Sequence, residues 1–175
     1  MNKVKTPMVG ILAYSGTGKT TLLIKLISIL SGRGIRIGMI KHAHHEFDID
    51  QPGKDSYKLR KAGAKEMLIG SENRWAHMVD AEKDEDFTLD DHIQQMDQDN
   101  LDLILVEGFK LEAISKIELT RPSLGNDLFF PKDENVIAVA TDEPLSVTTD
   151  LPILDLNNAD EIAAFILKRF LNNPD

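Results

Sequence analysis

Met8–Leu30 reads MVGILAYSGTGKTTLLIKLISIL: an apolar run, a turn with two glycines, then a long apolar-periodic segment. Val9–Ala13 has the length and composition of a buried strand, and Pro7 stands just before it. From Lys19 to Ser31 the residues Leu22, Leu23, Leu26, Ile27 and Leu30 recur at helical spacing, and Gly32 with Gly34 marks the stop. The turn between them suits an anion. Gly16 and Gly18 let backbone N–H groups converge on phosphate oxygens where a Cβ would obstruct. Lys19 brings a compact cation to the β- and γ-phosphates, the Thr20 hydroxyl can coordinate Mg²⁺, and the helix dipole adds positive potential at the same point. The phosphate-loop consensus is G-x-x-x-x-G-K-[ST], and Ala13–Thr20 reads AYSGTGKT. Ala13 replaces the first glycine, and an extended backbone at the strand's end tolerates its methyl. The stretch predicts nucleotide binding.

Working outward, the 175 residues suit a single domain over 1–175 with a core that needs no disulfide or metal. With 42% hydrophobic and 28% charged residues the composition is that of a soluble globular protein. There are no cysteines, which excludes disulfides and thiolate zinc sites. A net charge of −9 argues against a general nucleic-acid or membrane-surface binder. No segment approaches the ~18 apolar residues of a membrane span, and the apolar run near the N-terminus is needed for the phosphate loop rather than for a signal peptide. The reading is cytoplasmic.

Ile35–Ile40 is a second strand, and a strand–helix–strand unit of this length predicts a right-handed parallel crossover. Lys41–Ser56 (KHAHHEFDIDQPGKDS) follows, at the sheet edge where ligands of open α/β sheets bind. It holds three of the five histidines and four acids within fourteen residues. Lys41 and His42 are candidate anion contacts; Asp48, Asp50 or Asp55 could hold Mg²⁺ directly or through water. A transition-metal site and a plain solvated loop are the alternatives, although the spacing fits no standard zinc pattern.

Leu101–Phe109 (LDLILVEGF) is a continuous apolar run ending in an acid, which is what a buried parallel strand delivers beside a phosphate loop. Glu107 is therefore the candidate to hold Mg²⁺ and orient a nucleophile, with Gly108 leaving room for the γ-phosphate. Asp102 lies at the strand's other end.

Elsewhere, Ser56–Ala62 reads as a short helix capped by Asp55 or Ser56 and stopped by Gly63, with Lys58, Arg60 and Lys61 as a possible basic edge. Lys65–Gly70 and Arg74–Val79 read as two strands, with Trp75 as core or interface packing, and Asp80–Asp86 as a surface loop. Thr88 with Asp91 resembles a capping box opening a helix through Met96. Ile114–Thr120, Val136–Ala140 and Ile153–Leu156 are further strands; Arg121-Pro122 closes the first of them, and Phe129-Phe130 is core or contact surface. Asp142, just past a late strand, could accept from guanine N1–H and N2–H₂, or could merely stabilise the turn before Pro144. Asn158 with Glu161 caps a last helix whose Ile162, Phe165, Ile166 and Phe170 form one core stripe. The fold class is α/β: a P-loop NTPase with a mostly parallel twisted sheet, flanking helices and an added β-hairpin region.

YSGTGKTTL, IKHAHHEFDIDQPGKDSYKLRKAGA, LDLILVEGFK and VIAVATDEP together resemble the MobB family, molybdopterin-guanine dinucleotide biosynthesis protein B, over nearly the whole chain. The resemblance implies a GTP-binding accessory protein with weak GTPase activity. It also implies a homodimer that assists MobA, the nucleotidyltransferase attaching GMP to molybdopterin. The family's phosphate loop carries over to Ser15, Gly16, Thr17, Gly18, Lys19, Thr20 and Thr21, its acidic Walker B position to Glu107, and its distinctive second-strand segment to Lys41, His42 and Asp55. Lys19 and Glu107 are thus the candidate catalytic residues, and Thr20 and Glu107 the candidate Mg²⁺ ligands. No arginine stands out as a built-in finger. A small-molecule kinase, holding its acceptor with the histidine-rich loop and the Lys58–Lys61 helix, and a non-hydrolysing scaffold are the competing readings.

Overall fold

A computed structural model describes residues 5–43, 47–81 and 87–171. The chain runs β1 (Met8–Ala13), α1 (Lys19–Gly32), β2 (Ile37–Lys41), α2 (Asp55–Lys61), β3 (Glu66–Gly70), β4 (Trp75–Val79), α3 (Leu89–Gln94), β5 (Leu103–Glu107), β6 (Lys116–Thr120), β7 (Val136–Thr141), β8 (Ile153–Asp155) and α4 (Ala159–Phe170). These elements gather into two compact units, one holding the described residues up to His42 and from Leu89 onward, the other Ala43–Thr88.

The first unit is a six-stranded sheet in the order β2-β5-β1-β6-β7-β8, every pairing parallel. A parallel sheet must be covered on both faces, so strands such as β1, β5 and β7 are apolar nearly throughout, while β6 (KIELT) buries Lys116, Glu118 and Thr120 as well. β5 shows this in full: Leu103 and Leu105 join Leu22, Leu23, Leu26 and Leu30 of α1 and Ile162 and Ile166 of α4. Ile104 and Val106 turn the other way, onto Ile40 and onto Leu89 and Ile93 of α3. β1 lies at the centre, between β5 and β6, so the loop after it opens where successive connections leave in opposite directions. That is the crevice at which open α/β sheets bind ligands. No helix of the described residues is long and apolar enough to cross a membrane.

At the opposite sheet edge Asp102 accepts from the Arg36 guanidinium at 2.7 and 3.0 Å and from its backbone N–H at 2.8 Å. These bonds hold its carboxyl down at about 2. The expected distance of Asp102 from the loop is thus accompanied by a structural role.

The second unit pairs β3 and β4 as an antiparallel hairpin, with α2 before it. Two expectations change here. Of the two readings of Trp75, the core one is excluded and the interface one left standing: the residue is 65% exposed, and Leu68 is 66% exposed. The α2 cap is Lys54, with no side-chain cap bond, because the Ser56 hydroxyl donates instead to Asp50 at 3.0 Å.

Candidate nucleotide site

The loop from Tyr14 to Gly18 is shaped by its own backbone. Gly16 (φ 82°) and Gly18 (φ 97°) sit in the left-handed region, which a side chain rarely adopts. Thr17 is buried, and its hydroxyl donates to the Tyr14 carbonyl at 3.0 Å, closing the loop on itself. α1 starts at Lys19 with no side-chain cap and no acid in its first turn. Its first amides are therefore not claimed by a protein carboxylate or hydroxyl cap, and the positive end of the helix dipole faces the loop.

Register brings the acid to this loop. Parallel pairing sets Glu107 opposite Ile11 of β1 on one side and Lys41 of β2 on the other. The Glu107 carboxylate, 11% exposed, lies 3.3 Å from Lys19 Nζ and accepts from Lys41 Nζ at 2.9 and 3.0 Å. Burial opposes ionisation of Glu107, but the bonds from Lys41 and Lys19 outweigh it and keep its carboxyl below the ordinary glutamate range. Two lysines on one carboxylate leave the cluster net positive, which suits a polyanion. Thr20 and Thr21 are exposed at the start of α1. A hydroxyl and a carboxylate beside a phosphate loop form the sparse oxygen set that Mg²⁺ uses when it keeps its waters, so Thr20 and Glu107 fit that ion.

His42 continues the β2 edge, its N–H donating to the Glu107 carbonyl at 2.8 Å. No side chain fits at Gly108: a Cβ there would stand 2.5 Å from His42 Cβ. Glycine is needed at 108 because φ is +93° and because His42 packs against it. Phe109 follows with φ 50°, held between His42 at 4.7 Å and His92 at 5.3 Å between ring centroids.

The rest of the Lys41–Ser56 segment is a different matter. Asp48 and Asp50 are taken by Arg60, which also reaches Asp80 at 3.6 Å. Asp55 is exposed and faces the Lys58 ammonium 3.6 Å away. Among the described residues no group of three or more acids and histidines could hold a metal. His44, His45 and Glu46 lie outside the described residues, and the transition-metal alternative rests on them. The basic edge of α2 is likewise paired: Lys58 with Asp55, Arg60 with its three aspartates, and Lys61 with Asp48 at 4.0 Å and over the Tyr57 ring at 5.4 Å.

Arg121 carries a site contact that sequence reading passed over. It follows β6 at the loop's edge of the sheet, and its Nε donates to the Thr17 carbonyl at 2.9 Å. The same guanidinium pairs with Asp142 Oδ2 and reaches Asn157 Oδ1 at 3.3 Å. Asp142 Oδ1 is buried and accepts no hydrogen bond. The turn before Pro144 is held instead by the Thr141 hydroxyl, which donates to the Glu143 carbonyl at 2.7 Å. A polar residue directly after a parallel strand at the ligand edge was the available signal for Arg121. Tyr14, stacked on Phe129 at 4.6 Å, is a second such contact; buried Glu118 holds Phe129 and Phe130 by accepting their N–H groups at 2.9 and 2.8 Å.

Residues 8–142 match the family described as MobB, molybdopterin guanine dinucleotide synthesis protein B. The chain is 48% identical over 169 residues to the molybdopterin-guanine dinucleotide biosynthesis adapter protein of Escherichia coli (strain K12), spanning 95% of this chain and 94% of that one. Its identity to the adapter protein of Haemophilus influenzae is 46% over 161 residues, 91% of this chain and 87% of that one. The crystal structure of Bacillus subtilis MobB has the same fold, with a TM-score of 0.75 at 22% identity over 95% of this chain and 99% of that one. With most of its length matched, phosphate loop and β5 acid included, the chain belongs to the MobB family.

Proposed function

We propose that this protein is a GTP-binding adapter in the conversion of molybdopterin to molybdopterin guanine dinucleotide, with slow Mg²⁺-dependent GTP hydrolysis. The observation that carries the reading is the Lys19–Glu107–Lys41 cluster beneath the uncapped start of α1. The amides of Ser15–Lys19 bind the phosphate oxygens, and Lys19 turns from Glu107 to the β- and γ-phosphates. Glu107 is not stranded by that exchange, because Lys41 remains on both of its oxygens. Thr20, and Glu107 through water, would hold Mg²⁺, and the ion would supply charge neutralisation at the phosphates. Water attacks the γ-phosphorus while the bond to the bridging oxygen breaks, giving GDP and phosphate. Every described arginine near the loop is already paired, which accords with slow turnover.

The adapter role follows from the names of the two relatives. Its proposed partner is the guanylyltransferase MobA, its setting the cytoplasm, and molybdopterin or the dinucleotide a further ligand. Homodimerisation draws support from the apolar residues that the 43–88 unit leaves exposed, Leu68 and Trp75 foremost.

Calorimetric titration with Mg·GTP tests the reading. Lys19→Ala is expected to weaken binding by about a hundredfold, the scale of losing a charge-assisted phosphate contact; wild-type affinity in that variant would sink it. Asp142→Asn examines base choice. The variant keeps one oxygen for Arg121 and offers an amide donor in place of the second acceptor. GTP affinity should fall and xanthosine triphosphate affinity rise, and an unchanged ranking would remove Asp142 from base recognition.

A further inference from the structure

The Arg121 guanidinium joins three segments that are far apart in sequence: the phosphate loop through the Thr17 carbonyl, the end of β7 through Asp142, and the turn before α4 through Asn157. Its planar fork can serve these acceptors together, which an ammonium cannot. Thr17 is the loop's buried residue, between two glycines whose backbone freedom would otherwise let the loop open. Fixing the Thr17 carbonyl outward leaves the neighbouring amides turned the other way, toward the anion.

We propose that Arg121 is a positioning residue that holds the phosphate loop in its anion-binding shape, and that Asp142 acts on phosphate affinity through it. The inference rests on the reading that this loop binds a triphosphate, and it adds a coupling between the base side of the site and the phosphate side. Asp142 aligns Arg121, Arg121 aligns Thr17, and the loop amides follow. Neither side chain needs to touch a phosphate.

Inorganic tripolyphosphate with Mg²⁺ separates this from base recognition, since it carries no base. Arg121→Ala and Asp142→Ala should each bind it about tenfold more weakly. The double variant should be no weaker than Arg121→Ala alone, because both substitutions remove one tether. Arg121→Lys keeps the charge but not the fork and should also weaken binding; wild-type affinity there would reduce the role to charge and overturn the proposal. So would full affinity in Asp142→Ala. Hydrogen exchange without ligand reads the tether directly. Amides of residues 15–18 should exchange faster in all three single variants while those of β5 keep their protection, whereas unchanged loop exchange, or acceleration of both regions together, would overturn it. Arg36→Ala, which breaks the pair with Asp102 at the far edge, should leave tripolyphosphate affinity unchanged. Should Arg121→Ala fail to fold, Arg121→Lys and Asp142→Ala carry the same comparisons. Wild-type tripolyphosphate affinity in Lys19→Ala would instead remove the nucleotide reading, with the exchange result still deciding the tether.

Discussion

The parallel sheet and the 43–88 unit are built from similar apolar residues and treat them in opposite ways. In the sheet, Leu26, Leu103, Ile104 and Ile166 are wholly buried, because helices cover both faces. In the hairpin, Leu68 and Trp75 stay mostly in solvent, and among the described residues of that unit the well-enclosed side chains include a charged pair, Arg60 with Asp50, the arginine also reaching Asp48 and Asp80. Burial is therefore a property of what packs on a strand and not of the strand's own composition. The sheet is stabilised by apolar area removed from water, about 25 cal/mol per Å². The hairpin unit is organised around ion pairs and leaves apolar side chains exposed.

The sharpest way to break this contrast is Leu26→Ala. A leucine with no exposure, set among α1, β1 and β5, should cost about 2–5 kcal/mol, read as a lower midpoint in urea unfolding. A loss near zero would mean that the sheet unit is not packed as described. A smaller effect is expected within the same unit at its far edge. The Asp102 carboxyl is held down at about 2 by Arg36, so its pairing stabilises the fold at pH values above the ordinary aspartate range near 4. That contribution is lost as pH falls toward about 2. Asp102→Asn should flatten the decline in stability across this window, and an identical acid profile for variant and wild type would remove the pair from the account.

Smallest of all should be the stability change for Trp75→Ser, within about 0.5 kcal/mol, as for other exposed positions. Its sensitive readout is association: sedimentation should show a weaker homodimer if the exposed hairpin face is where two copies meet. A large loss of monomer stability instead would show that the tryptophan has a core role after all.

Legibility followed the same division. Glu107 could be read in advance because an apolar run ending in an acid, beside a phosphate loop, has few other uses; the β1–β5 and β2–β5 registers then set it between Lys19 and Lys41. Gly108 was recognisable as special, and folding added a reason of its own, since His42, just after β2, stands where a Cβ would go. Asp48 and Asp50 resembled metal ligands by composition, and only folding showed that Arg60 takes them. For Arg121 the sequence offered only its place directly after a strand; its partners Thr17, Asp142 and Asn157 converge through the strand order β1-β6-β7-β8.

By itself the order of residues determined the strand–loop–helix at the start of the chain, the parallel α/β class and the acid on β5. These depend on local periodicity, on glycines at constrained backbone positions and on unbroken apolar runs, all properties of neighbours in the chain. Only the tertiary structure decided which charges neutralise one another, which apolar residues remain in water and which arginine braces the loop. Those outcomes depend on distances of a few ångströms between groups brought together across the sheet, and spacing along the chain carries no record of them.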